Sequence, residues 1–370
     1  MRLAGAPASS VNFITEGTIA PVREIVIVMA DLYLPAEVHE LTDANGTVAA
    51  LPPALAHALR YGTHAALPRT WREWLAHWLG RPDLAAASVA GIAAAGIGVH
   101  ESGPLWLATP MHWMAGMSGV HLDARAILRL EAGELERLAG DFNSAFRHSA
   151  VLLRPLPGGE LLAHGPEVFG AHTVEPARLH LAGLADAQPA GGGAAGLRRL
   201  GSEIEMWLRD QALNRARAAR GERPVSALWF WGGSAPAPPP GPQGARLAAP
   251  GAARPPYLAL GTDAYLAGLS RLTGAAAAAL PPQLAPEGGT GTAGTVLVFA
   301  LGSLPAPGPW SLAVALAEAD RRFVAPALQA LRRGACRSLT LLANDHCVQL
   351  RAQHRWRAWR RAPAGLEGLR

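Results

Sequence analysis

The stretch Glu24-Ile-Val-Ile-Val-Met-Ala30 limits the folds open to this chain more than any other segment. A strand with one wet face alternates apolar and polar residues. A continuous run rich in β-branched residues needs apolar cover on both faces, which parallel sheets with helices on each side provide. Asp31 closes the run at its carboxyl end, where open α/β sheets build their sites. The alternative for an acid there is a cap on a turn or on the following helix.

Further strands are expected at 105–109, 150–154, 227–231, 257–260, 295–301 and 338–343, each bounded by Gly, Pro or Ser. Helical periodicity marks 197–220, 263–272 and 310–333, with shorter helices at 53–61, 71–79 and 132–146. Strands alternating with helices predict an α/β layered fold with a mostly parallel central sheet flanked by helices. The span 1–196 is read as the first part of that fold, with an inserted subdomain at about 110–190; 197–370 is read as its second part. The run 234–256, with its Ala-Pro-Ala-Pro-Pro-Pro-Gly-Pro core, is a low-complexity insertion.

All 33 basic residues are arginine and Gly, Pro and Ala abound, so the formal charge of +5 reflects compositional bias before it reflects a partner. Residues 351–370 hold six Arg and one Glu, which places the whole excess in a basic tail on a neutral body. Its His354-Arg-Trp-Arg-Ala-Trp-Arg-Arg361 interleaves aromatic and cationic side chains as single-stranded nucleic-acid sites do; packing of the two tryptophans on the body is the other reading. Cys336 and Cys347 flank the apolar run 339–343, and eleven steps of extended chain would hold them roughly 35 Å apart, beyond disulfide reach. With no charged-then-apolar leader and no confident membrane span, the expectation is a cytoplasmic protein without membrane contact.

The segment Asn214-Arg-Ala-Arg-Ala-Ala-Arg-Gly-Glu-Arg-Pro-Val-Ser-Ala-Leu-Trp-Phe-Trp-Gly-Gly233, preceded by Ser202-Glu-Ile-Glu-Met-Trp-Leu208, resembles bacterial regulatory proteins of the RpfE type. Those are divergent relatives of the archaeal-type cofactor-independent phosphoglycerate mutases of the alkaline phosphatase superfamily. Similarity to the mutases continues in Gly261-Thr-Asp-Ala-Tyr-Leu-Ala-Gly-Leu-Ser-Arg-Leu-Thr-Gly274, in 51–62 and in 93–113, all in the family's order. The resemblance implies an alkaline phosphatase-like fold and phosphoryl transfer on two metal ions with a Ser or Thr nucleophile. It matches Asp31 to the first metal ligand, Asp345 and His346 to a late Asp-His pair, and His354 to a further histidine.

Two departures bear on that chemistry. Glu73-Trp74 stands where the family has its Ser-Asp nucleophile pair, ahead of Ala76-His77, and Leu301-Gly-Ser-Leu-Pro-Ala-Pro-Gly308 replaces an Asp-x-x-x-His ligand pair. A carboxylate cannot replace the serine without changing the mechanism, and the remaining ligand types cannot close two metal shells. The expectation is therefore a catalytically degenerate, regulatory or phospho-ligand-sensing protein without a bound cofactor. One residual manganese or zinc ion, with Cys347 assisting Asp345 and His346, is the alternative; an active metal-dependent phosphoglycerate mutase or phosphatase and a nucleic-acid-binding adaptor are the other functional readings. Asn214, Arg217 and Arg220 are the candidate phosphate contacts, because the guanidinium fork donates two parallel hydrogen bonds to phosphate; a solvated arginine face is the other reading. Trp229 and Trp231 are expected to belong to the sheet core.

Overall fold

The computed structural model describes residues 24–32, 49–67, 70–99, 103–116, 119–121, 126–165, 170–179, 187–233, 257–285, 294–305, 310–343 and 346–356. Its strands in chain order are β1 (Glu24–Met29), β2 (Thr63–Ala66), β3 (Leu105–Met111), β4 (Met114–Gly116), β5 (Gly119–His121), β6 (Leu152–Pro155), β7 (Leu161–His164), β8 (Ala171–His172), β9 (Ala190–Gly191), β10 (Ala227–Trp231), β11 (Tyr257–Leu260), β12 (Ala276–Ala278), β13 (Gly294–Phe299), β14 (Ser338–Ala343) and β15 (His346–Arg351). The α-helices are α1 (Pro53–Tyr61), α2 (Trp71–Trp78), α3 (Pro82–Ala85), α4 (Val89–Gly96), α5 (Ala132–Ala145), α6 (Ala194–Arg209), α7 (Ala212–Ala219), α8 (Ala264–Thr273), α9 (Leu312–Ala319) and α10 (Ala325–Arg333).

Seven strands form the main sheet in the order β12-β11-β13-β1-β14-β15-β2, and all but β15 run in one direction. The β1 run lies at its centre, between β13 and β14. Val26, Ile27 and Val28 have no solvent exposure, as a strand covered on both faces requires. Ile25, Ile27 and Met29 point toward α1, α9 and α10, whereas Val26, Val28 and Ala30 point toward α2 and α8. The fold is thus the expected α/β layered arrangement, with a mostly parallel sheet flanked by helices.

A second sheet, β10-β3-β7-β6, is wholly antiparallel. Leu228 and Phe230 pack with α5 and α6 on one side, and Trp229 and Trp231 with α4 on the other. The tryptophans are therefore sheet core. Because β10 pairs with β3, the antiparallel sheet draws on strands from residue 105 to residue 231.

The short helix α4 joins the two units. It is apolar all round, packing Ala90, Ala93 and Ala94 under the small sheet and Ile92 against α8. Its approach to α8 depends on glycine: a Cβ on Gly268 would stand 1.7 Å from the Ile92 carbonyl oxygen, and one on Gly96 would stand 2.8 Å from the Gly268 nitrogen.

Three expectations need correction. The single helix expected at 197–220 is two, α6 and α7, since the chain leaves the helix at Asp210 and restarts beyond Gln211. The helix expected at 310–333 passes through a π-turn, Asp320–Val324; Pro326 has no amide hydrogen for the ordinary ladder there. The cysteines are not separated along one strand. β14 and β15 form an antiparallel pair that sets Cys347 opposite Leu342, and the thiols lie in the cores on opposite faces of the sheet, both free.

Candidate functional site

Asp31 follows β1 at the carboxyl end of the parallel strands. Its Oδ1 accepts from the Leu301 amide at 2.6 Å and its Oδ2 from the Gly302 amide at 2.9 Å. Both amides open the 3-10 turn Leu301–Ser303. Burial pushes the Asp31 carboxyl above its usual range, while the two amides and the nearby Arg129 pull it down. The geometry is that of a carboxylate closing the first turn of a helix-like segment.

The other predicted metal ligands do not gather around it. Asp345 lies outside the described residues. His346 opens β15 opposite Ala343, which pairs in turn with Met29, so His346 shares the carboxyl end of the sheet with Asp31. His354 stands at the other end, beyond Arg351, which pairs with Ser338 and through it with Glu24. Five residue steps of β15 separate those ends, about 16 Å at strand rise. The buried His354 ring engages the Arg351 amide through Nδ1. Burial pushes the Cys347 thiol up to about 11, far from the thiolate a metal ligand must be. Among the described residues no three His, Cys, Asp or Glu side chains could together hold a metal ion. Glu73 lies in the first turn of α2, and its amide donates to the capping Thr70 hydroxyl.

The predicted phosphate contacts sit on the outer side of the small sheet. Asn214 ties the end of α6 to the loop before β10: its Nδ2 donates to the carbonyls of Leu208 and Val225 while its Oδ1 accepts from the Val225 amide. Arg217, buried, donates to the Arg223 carbonyl and to Glu134 at 2.7 Å. Arg220 holds the other Glu134 oxygen at 2.6 Å and also grips Glu222. The two arginines thus share one carboxylate and clamp α7 to α5. An incoming phosphate would have to displace Glu134 from both.

Sequence reasoning missed the polar seam between the units, at the same end of the sheet as Asp31. Arg72 of α2 is buried, pairs with Glu175 at 2.5 Å and stands 3.8 Å from Asp263. Its guanidinium lies 4.8 Å from the centre of the Trp231 ring. Facing it, the Trp231 indole N–H donates to the Thr109 hydroxyl, which donates to Glu160. Burial pushes the Glu160 carboxyl upward; Asp263 adds to that, and Arg129 and Arg72 oppose it. Arg129 acts on Asp31 as well as on Glu160, so one exposed guanidinium overlooks a half-buried and a buried carboxyl. The turn before Glu160 presses on the loop after β11, where a Cβ on Gly158 would overlap the Thr262 carbonyl. Residues from seven separate segments meet here, and no local motif announces them.

Fold and site together define a layered α/β protein whose mostly parallel sheet carries a smaller antiparallel unit over its carboxyl end. No protein-family model and no curated protein matches the chain. Among solved structures it is similar to the cofactor-independent phosphoglycerate mutase of Thermoplasma acidophilum DSM 1728, at 13% identity over 90% of each chain and a TM-score of 0.37. It is also similar to a protein of Pyrococcus horikoshii, at 12% identity over 90% of this chain and 88% of that one, with a TM-score of 0.43. At these identities and scores neither likeness assigns an activity or a ligand to this chain.

Proposed function

We propose that this chain is a catalytically degenerate, phosphoglycerate-mutase-like protein of alkaline phosphatase-like fold that senses a phosphorylated small molecule in a regulatory role of the RpfE type. The observation that carries the loss of catalysis is the engagement of Asp31. Both of its oxygens accept backbone amides of the turn that replaces the family's ligand pair. A carboxylate tied down this way and pushed toward its protonated form is a poor partner for a divalent ion. The distance of His354 from that end of the sheet and the Glu73 in place of a hydroxyl nucleophile point the same way.

The reading is tested by incubating the purified protein with manganese and 3-phosphoglycerate while measuring bound metal. The expected result is neither turnover nor stoichiometric metal. Turnover that disappears on Asp345→Ala would establish an active metalloenzyme and sink the proposal. The sensing half is tested separately by thermal shift with phosphorylated metabolites; a panel with no shift removes it.

A further inference from the structure

A groove of about 890 Å³ lies on the helical face that carries α1 and α10. Its walls are α1, the segment at 283–285 and the continuous helix from the π-turn through α10. Arg321, Arg332, Arg333 and His57 line it, with Gln283 and Gln329 as neutral donors. Among the described residues the only carboxylate in its wall is Asp320.

The charges of the nearby acids are already engaged. Asp320, buried, accepts the Leu55 amide at 2.6 Å and the Ala54 amide at 3.3 Å, so it caps the start of α1. Glu318 holds Arg321 at 2.7 Å and lies 3.9 Å from Arg322, whose guanidinium donates to the carbonyls of Pro281 and Pro282. Arg332 is different: it is exposed, its partner is the His57 ring nitrogen at 3.3 Å, and it makes no ion pair among the described residues. Arginines in a last helical turn ordinarily complement the helix carbonyls, which accounts for their presence in α10. It does not account for a concave site of metabolite size beside a cation whose neighbour is an imidazole. Burial and the charges of Arg332 and Arg60 hold His57 toward its neutral form, as a positive local field requires.

We propose that this groove binds a small polyanion, with Arg332 as its principal contact and His57 and Arg333 beside it. Resting on the sensing reading above, this places the phosphorylated ligand on the helical face, in a groove lined by neither Asp31 nor the Glu134 clamp. A polycarboxylate offers the same charge in the same space, and the experiment separates the two sources.

The experiment is titration calorimetry of the full chain with inorganic tripolyphosphate and, separately, with citrate, in wild type, Arg332→Ala, Arg333→Ala and Arg217→Ala. The expected result is one tripolyphosphate site that weakens as salt rises and loses at least about tenfold in affinity in Arg332→Ala, as removal of a charged hydrogen-bond partner predicts. Arg217→Ala should leave it unchanged. Arg332 is exposed, so its variant should melt like wild type, and Arg333→Ala repeats the test from a neighbouring position. Tripolyphosphate binding that ignores both Arg332→Ala and Arg333→Ala overturns the groove and leaves ligand sensing standing. Citrate binding alone, lost in Arg332→Ala, upholds the groove and overturns the phosphate reading. Binding of neither anion overturns the groove.

Discussion

Replacing Asp31 by alanine separates a structural carboxylate from a metal ligand. The side chain accepts two amides, at 2.6 and 2.9 Å. Hydrogen bonds to a charged group are worth about 1.5–3 kcal/mol each, but that sum overstates the loss on two counts. The Gly302 bond lies at the exposed edge, so water replaces it, and removing the carboxyl also relieves the burial that pushes its pKa up. What remains is the Leu301 amide, left without its acceptor in a part-buried position. The expected cost is therefore about 1–3 kcal/mol. It should appear as a lower urea midpoint with unchanged slope, and by the same amount in EDTA as in millimolar manganese. Asp31→Asn keeps one carbonyl acceptor and should lose less. If Asp31→Ala matches wild type in EDTA, and manganese stabilises only wild type, the capping argument is wrong and Asp31 is a metal ligand.

Other expectations follow from the seam, the helix contact, the arginine clamp and the thiols. Glu160 has a folded-state pKa raised above its unfolded value, so the folded state holds the proton more tightly; its contribution is greatest below the ordinary carboxyl range and is lost as pH rises through the folded pKa. Glu160→Gln should thus gain stability over wild type as pH increases from 4 to 8, and thermal melts showing an advantage that shrinks over that range would refute the assignment. Gly268→Ala places a Cβ 1.7 Å from the Ile92 carbonyl oxygen, so α4 and α8 must part by about 1.5 Å. The expected loss is about 3 kcal/mol or more, whereas Gly140→Ala, on a helix face with open space around it, should gain roughly 0.5–1 kcal/mol; equal denaturation midpoints for the two variants would defeat this account. Arg217→Ala removes a buried partner of Glu134 and should cost about 2–3 kcal/mol, with Arg220→Ala milder because Arg220 is exposed; the reverse order in urea titrations would show the clamp misread. Cys336 and Cys347, both pushed up to about 11 by burial, should react with a disulfide reagent at pH 7.5 about a hundredfold slower than a free thiol, and stopped-flow traces at the free-thiol rate would contradict their burial.

The central layer of the fold was legible in the sequence because it depends on local pattern. The run 24–30 could be satisfied only by cover on two faces, and 257–260 and 338–343 carried the same signal with sharp boundaries. Strands β2 and β12 escaped notice because they are short, exposed and alanine-rich at the sheet's edges, where the partner strand and not the sequence makes them extended. β15 was not expected for another reason: His346, Gln349 and Arg351 interrupt its apolar residues, and pairing with β14 makes it extended.

The site divides along the same physical line. Sequence alone set the chemical inventory: an acid after the first strand, a Glu at 73, a Leu-Gly-Ser segment at 301–303, and arginine as the sole strong cation among the side chains. Which of these residues meet was decided by the tertiary structure. Chain reversal in β15 carries His354 to the far end of the sheet, Glu134 from a distant helix closes on Arg217 and Arg220, and the Leu301 turn closes on Asp31. Burial, field and partner choice depend on groups far apart in the chain, so the same residues could not be assigned a task until the elements that surround them were in place.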